Sequence, residues 1–297
     1  MRDLVARHLL WLSIFGSSAA FLLARANGSS TEVAVLLASV AVLAVGAVME
    51  RVLPYQREWN LASGDARTDL ASAFVLVGVV DPLLKAALPL ALVAAWREVG
   101  PASSLPRVGD DFGFFLQVLA ALLWIELARY GSHRWHHANR ALWWLHALHH
   151  GSRRLYTLNN FRFHPVNHAI NHLLSIGPLL ILGVPADVLL ACLAITQPVL
   201  MLQHANIDLR SGWLNRVFSS NEVHRWHHSN LAVEANCNFG SALLLWDHLF
   251  GTYRAASAGV GPDAIGLFGD GNRYPAAQGY VRQLGSMFSP ACCRSGR

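Results

Sequence analysis

Charge is what this sequence has least of. Only 14% of its 297 residues are Asp, Glu, Lys or Arg, against about 25% in an average soluble chain. So few charges cannot sheathe a soluble enzyme of this length. A disordered chain is excluded as well, because it needs low hydrophobicity and high net charge. Cysteine is sparse: Cys192, Cys237, Cys292 and Cys293 form no Cys-x-x-Cys pair and no disulfide spacing. Cys192 lies in an apolar run and reads as a small core residue. Cys292 and Cys293 lie in a polar tail, as an ordinary thiol pair or a lipidation site. No His-Glu-x-x-His, Gly-x-Ser-x-Gly or P-loop occurs, which removes the zinc-protease, nucleophile-elbow and phosphate-cradle readings. Glu-x-x-His pairs, which soluble di-iron bundles use, are also missing.

What remains is apolar: 54% of residues are hydrophobic and mean hydropathy is +0.34, the composition of an integral membrane protein. The net charge of +5 comes from scattered arginines rather than a basic tract. It argues for the arginine excess of a cytoplasmic membrane face and for no nucleic-acid partner.

A spanning helix needs about 20 mostly apolar residues. Four candidates are 8–24, 33–53, 70–96 and 112–130. The first, ending at Ala24-Arg25-Ala26, has the outline of a signal peptide but serves equally well as a retained span. The third is interrupted by Asp81-Pro82 and Lys85, so it is either one kinked span or a shallow hairpin. Residues 166–204, broken at Gly183-Val184-Pro185-Ala186-Asp187, read as a helical hairpin. With the N-terminus inside, Arg2, Arg7, Arg51, Arg57 and Arg67 are inner and Arg25, Arg97 and Arg107 outer. Arg129, Arg134, Arg140, Arg153 and Arg154 then cluster inside too, which favours this orientation. From Asp208 the chain turns more polar, and no solenoid-like repeat is present.

Histidine is the anomaly. Thirteen of the 15 histidines fall between His133 and His228. Three boxes stand out: His133-Arg-Trp-His136-His137, His146-Ala-Leu-His149-His150 and His224-Arg-Trp-His227-His228. His204 follows Gln203 between the second and third. On a helix, positions i, i+3 and i+4 share a face, so each box points its imidazoles together; His136 is out of phase with His133. A single histidine on an apolar face is usually a hydrogen-bonded core residue. The set is different, because an unpartnered buried polar group costs roughly 1–3 kcal/mol and clustered imidazoles repel when protonated. Neutral imidazole is the commonest nitrogen ligand of transition metals. Nine nitrogens exceed one tetrahedral zinc and suit two metals with open positions. His164, His168 and His172 form a further stripe, of which His164 is a possible ligand or supporting group. His8 and His248 stand apart.

At these residues the chain resembles the fatty acid hydroxylase and sterol desaturase superfamily. The resemblance covers about residues 120–255. It runs through Glu126-Leu-Ala-Arg129-Tyr130 and the first two boxes. It continues through Arg162-Phe163-His164-Pro165, Gln203-His204-Ala205-Asn206 and the third box. It ends at Asn238-Phe239-Gly240 and Trp246-Asp247-His248-Leu249-Phe250-Gly251-Thr252-Tyr253. It implies a membrane oxygenase with a di-iron centre that uses O2 to hydroxylate or desaturate a lipid C–H bond. By the same resemblance His133, His137, His146, His149, His150, His204, His224, His227 and His228 ligate the metals. Asp247, Glu126, Glu222 and Asn238 are candidates to ligate or to orient ligand rings. Two departures stand out: Asn167 where many relatives carry an acidic residue, and Asp208 where some carry another histidine.

The expectation is therefore an all-α integral membrane bundle, with about four spans plus a broken helical hairpin and a cytoplasmic histidine-rich catalytic cap. Residues 1–111 would form an N-terminal transmembrane region, 112–255 the catalytic domain and 256–297 a surface tail. Two iron ions, a lipid substrate and a separate ferredoxin-, flavin- or cytochrome-type electron donor are expected, since no haem, reductase or iron–sulfur motif occurs. The alternatives are a dizinc hydrolase or isomerase, and a metal transporter, which would place its site at the midplane of repeated halves.

Overall fold

The computed structural model describes residues 2–99, 112–268, 273–289 and 292. Among them the regular elements are helical, with only isolated β-bridges such as Pro54 to Ile207. In chain order they begin with α1 (Arg2–Ala26), α2 (Thr31–Val52), α3 (Ala66–Val75) and α4 (Asp81–Val99). Then come α5 (Phe114–Ala138), α6 (Arg140–His150), α7 (Pro165–Ile181) and α8 (Ala186–Gln203). Four short helices follow: α9 (Asn221–His227), α10 (Ala232–Ala235), α11 (Leu245–Leu249) and α12 (Tyr280–Gly285).

Five helical runs among the described residues are long and apolar enough to cross a bilayer: α1, α2, Ala66–Ala91, α5 and α8. Their outer faces carry exposed Phe15, Leu36, Phe74, Phe115 and Leu119, the side chains that lipid would solvate. The hydrogen bonds of such runs close within each helix, as a hydrocarbon environment demands. Turns between them use residues suited to their dihedrals. Gly28 and Gly183 adopt φ of +67° and +68°, where a Cβ would be strained. Ser30 caps α2 by accepting from the Val33 amide.

Two sets of contacts mark the two ends of the bundle. At one end Arg25 of α1 pairs with Asp187 of α8 at 3.1 Å, and its guanidinium lies 4.0 Å from the Phe114 ring centre at the start of α5. At the other end the Arg210 amide donates to the Ala6 carbonyl of α1. There Glu50, near the end of α2, accepts from the Thr157 amide and hydroxyl, and Asp69, early in α3, pairs with Arg162 at 3.0 Å. The N-terminus and the histidine-bearing segments thus lie at the same end. α3 starts at that end and α5 starts at the opposite one, so the run from α3 to α4 crosses once.

The hairpin reading of 70–96 is therefore replaced by a single rod. A π-turn over Leu76–Val80 carries it past Pro82, because the wider turn accommodates the missing proline N–H. Asp81 is not exposed to lipid alone: His168 of α7 lies 2.6 Å from it and Lys85 3.6 Å. α7 and α8 run in opposite directions through the turn at 182–185, as expected, but they splay apart: both pack on α5, and α8 also packs on α1 and α2. α1 is a packed member of the bundle, with Leu10 and Phe21 buried.

One apolar cluster joins α1, α5, α7 and α8 through Phe21, Ile125, Leu179 and Val188. A second lies beneath the cap through Leu10, Val42, Leu202 and Ile207. The described part of 256–297 is no free tail. Tyr274 and Tyr280 are buried against Trp144 and Leu148, and the Trp144 indole donates to Ser286 at 2.9 Å. Its aromatic residues give this Gly- and Pro-rich segment enough apolar surface to pack. Arg107, Cys293 and residue 111 of the expected domain boundary lie outside the described residues.

Candidate metal centre

The last two turns of α5 carry His133 and His137. Asn139 then breaks the helix and at once caps α6, accepting from the Ala141 and Leu142 amides. α6 thereby folds back with His146, His149 and His150 facing α5. Ser220 caps α9, which supplies His224 and His227, and His228 closes its C-terminus. His204 closes α8. Every one of these histidines is therefore on a helix or at its end, a rigid platform for a ring.

The nine rings converge on two adjoining centres. His133, His137, His146, His150 and His227 bring ligand nitrogens within 4.8 Å of one another, and so do His149, His204, His224 and His228. The second and third boxes each serve both groups: α6 gives His146 and His150 to one and His149 to the other. Rings of the two groups touch, with the His150 and His228 centroids 4.4 Å apart. The second group is fully buried, whereas His133 and His137 are half-buried.

Each ring has an outward and an inward nitrogen. Outward Nδ1 atoms donate to fixed acceptors: His133 to the Phe239 carbonyl at 2.8 Å, His227 to the Cys237 carbonyl at 2.9 Å and His149 to the Arg162 carbonyl at 3.3 Å. Asparagine oxygens serve His137 (Asn236, 3.3 Å), His146 (Asn167, 2.9 Å) and His204 (Asn159, 3.0 Å). Such acceptors fix the tautomer and the ring plane. The inward Nε2 atoms of His133, His137, His146, His150 and His227 are buried with no protein partner. In the second group the His224 Nε2 lies 3.1 Å from that of His204 and 3.0 Å from that of His228. A single proton on the His224 Nε2 satisfies one of these contacts, whereas a cation among the three nitrogens satisfies both.

Burial and the neighbouring rings hold His146, His149, His150, His224, His227 and His228 well below the ordinary imidazole pKa. Burial takes His204 to about 3. The set is neutral at physiological pH, the state that binds metal. Orphaned inward nitrogens, neutral rings and outer acceptors fit two transition-metal ions.

The fatty acid hydroxylase family matches residues 118–252, a stretch that contains all nine histidines. The ornithine lipid hydroxylase OlsE of Rhizobium tropici is 34% identical over 266 residues, covering 89% of this chain and 76% of that protein. The chain belongs to the fatty acid hydroxylase family. It is an enzyme, an oxidoreductase of the hydroxylase kind, and a multi-pass membrane protein by its five apolar helices. No solved structure matches it.

In this hydroxylase the other sequence candidates lie outside both nitrogen groups. His164 caps α7, its Nδ1 accepting from the Val166 amide. Glu126 accepts from the Ala242 and Leu243 amides, and Glu222 from the Ser211 amide. Asp247 accepts from the Phe239 and Gly240 amides and the Thr252 hydroxyl. Asn238, at φ 51°, is tied to Val223 and Arg254. None of these four touches an imidazole nitrogen, so the expectation that they orient ligand rings is corrected. Glu126, Asn238 and Asp247 hold the 237–243 loop, whose carbonyls do so, and Glu222 holds the turn at Ser211: Asp247 grips Phe239, and Phe239 receives His133. Gly240 lies so close that a Cβ there would meet the Leu243 carbonyl and Asp247. Asp208 pairs with Arg210 in a turn and replaces no ligand. The direct acceptors Asn159, Asn167 and Asn236 were not among the candidates. The Asn-rich stretches flanking the second and third boxes were the available signal.

Proposed function

We propose that the chain is a membrane-bound non-haem di-iron lipid hydroxylase. His133, His137, His146, His150 and His227 would hold one iron and His149, His204, His224 and His228 the other. The observation carrying this is the convergence of nine rings on two centres, with five inward nitrogens buried without protein partners and six of the rings braced from outside by fixed acceptors. Zinc could occupy such sites but has no redox chemistry, whereas breaking an unactivated C–H bond needs it. Iron bound there would supply dioxygen activation. The balanced reaction inserts one oxygen atom of O2 into the C–H bond and releases the other as water, consuming two electrons and two protons. The electrons come from a separate carrier protein.

This chain's own residues provide a dry, rigid frame. The fully buried second group is shut from solvent, and the half-buried His133 and His137 form the accessible rim. Trp143 and Phe268, with ring centroids 4.5 Å apart, line that rim beside His137 and offer apolar surface to a lipid chain. The arginine distribution favours placing the cap and N-terminus on the cytoplasmic side. The relative's name makes an ornithine lipid the first substrate to test. Iron-loaded protein in vesicles containing that lipid, supplied with a ferredoxin, its reductase, NADPH and 18O2, should yield a product heavier by one labelled oxygen. Unlabelled product, or turnover that persists without oxygen, would contradict the reading.

A further inference from the structure

Beneath the first nitrogen group lies a chain of buried polar contacts that no ligand role accounts for. His136 and Asn167 are both fully buried, and His136 belongs to neither nitrogen group. Asn167 Oδ1 lies 2.9 Å from His146 Nδ1, its Nδ2 lies 2.9 Å from His136 Nε2, and His136 Nδ1 lies 2.7 Å from the Ser132 carbonyl. One end of this chain has a fixed direction. A carbonyl can only accept, so His136 carries its proton on Nδ1 and presents a lone pair at Nε2. That lone pair takes an N–H from Asn167, which turns the amide so that its oxygen faces His146. His146 must then carry its own proton on Nδ1, and its buried, unpartnered Nε2 is left as a lone pair toward the centre.

We infer that Asn167 is the positioning residue of His146, and that His136 acts as a tautomer anchor rather than a metal ligand. The inference rests on the metal reading above. It gives the extra histidine of the first box a task, and it explains how a neutral amide serves where a carboxylate would also fit. A carboxylate presents an oxygen to His146 whichever way it turns and needs no anchor. An amide is directional, and without His136 it could turn its donor toward His146 and place the His146 proton on the inward nitrogen.

The test measures Fe(II) affinity anaerobically on detergent-solubilised protein, against a chelator of known affinity. Wild type should take two equivalents. Asn167→Leu keeps the branched outline of the side chain and removes the acceptor; one equivalent should weaken roughly 10–100-fold, the usual effect of losing a ligand's supporting group, while the other holds. Asn167→Asp combined with His136→Phe, which removes the lone pair that would oppose the second carboxylate oxygen, restores an acceptor and should restore that equivalent. His136→Phe keeps a ring and removes both nitrogens. It leaves the amide free to turn, so only about half the protein starts in the competent arrangement and affinity should fall about twofold. A loss in His136→Phe as large as in Asn167→Leu would make His136 a ligand and overturn the assignment. Equal weakening of both equivalents in Asn167→Leu, or failure of the Asn167→Asp, His136→Phe double variant to rescue, would reduce Asn167 to a packing role. Absence of Fe(II) binding by wild type would instead sink the di-iron reading itself.

Discussion

Asp247→Asn separates a loop-holding carboxylate from a metal ligand. Asp247 is fully buried. One of its oxygens accepts from the Phe239 amide at 2.8 Å and the Thr252 hydroxyl at 2.7 Å, and the other accepts from the Gly240 amide at 2.7 Å. In asparagine one oxygen becomes an NH2 group, and either placement sets a donor against a backbone N–H. One buried amide is then unsatisfied, costing about 1–3 kcal/mol. The surviving bonds lose charge assistance, which roughly halves each of them. The sum is about 2–4 kcal/mol, or roughly 3–6 °C in Tm for a chain of this length. Thermal unfolding should be followed for metal-free and metal-loaded protein side by side. The account expects the loss in both forms, together with weaker metal binding through the Phe239 carbonyl that orients His133. An unchanged Tm in the metal-free variant, with metal lost from the loaded one, would make Asp247 a ligand and refute the reasoning.

Other expectations follow from the same geometry. The folded His146, His149, His150, His204, His224, His227 and His228 have depressed pKa values, so the unfolded chain binds more protons than the folded one once pH falls below about 6.5. Stability of the metal-free protein should be fully present above that pH and fall as acid is added; a flat profile between pH 7 and 5 would contradict neutral rings in the folded state. His149→Ala should lose metal and activity together, while His8→Ala, which removes a ring bonded only to Trp11, should lose neither; full metal content in His149→Ala would remove it from the site. Reporter fusions after residues 29 and 103 should both report the outside. Cytoplasmic signal from both would invert the orientation.

That each box points its imidazoles together was readable because helical periodicity aims i, i+3 and i+4 side chains to one face; that the boxes join with His204 in one ligand set was implied by the family resemblance. Their division into two groups was not, since it depends on how α6 and α9 cross. Nor were the acceptors readable: Phe239, Cys237 and Arg162 act through backbone carbonyls, which every residue has. Asn167 drew notice only as a departure from its relatives, yet it sits against His146. Asp247 and Glu126 looked like ring partners from their chemistry, but their partners are loop amides more than a hundred residues away in one case. The path of 70–96 stayed ambiguous because Asp81-Pro82 fits a bend or a turn equally well. His168, which meets Asp81, lies far along the chain. Phe268, Tyr274 and Tyr280 anchor a segment whose glycine and proline content suggested a loose tail.

The most direct measurement is metal analysis of the detergent-purified chain, by elemental analysis and iron Mössbauer spectroscopy. The account predicts near two irons per chain, antiferromagnetically coupled. Two zincs with no iron, persisting after anaerobic reconstitution with Fe(II), would contradict it.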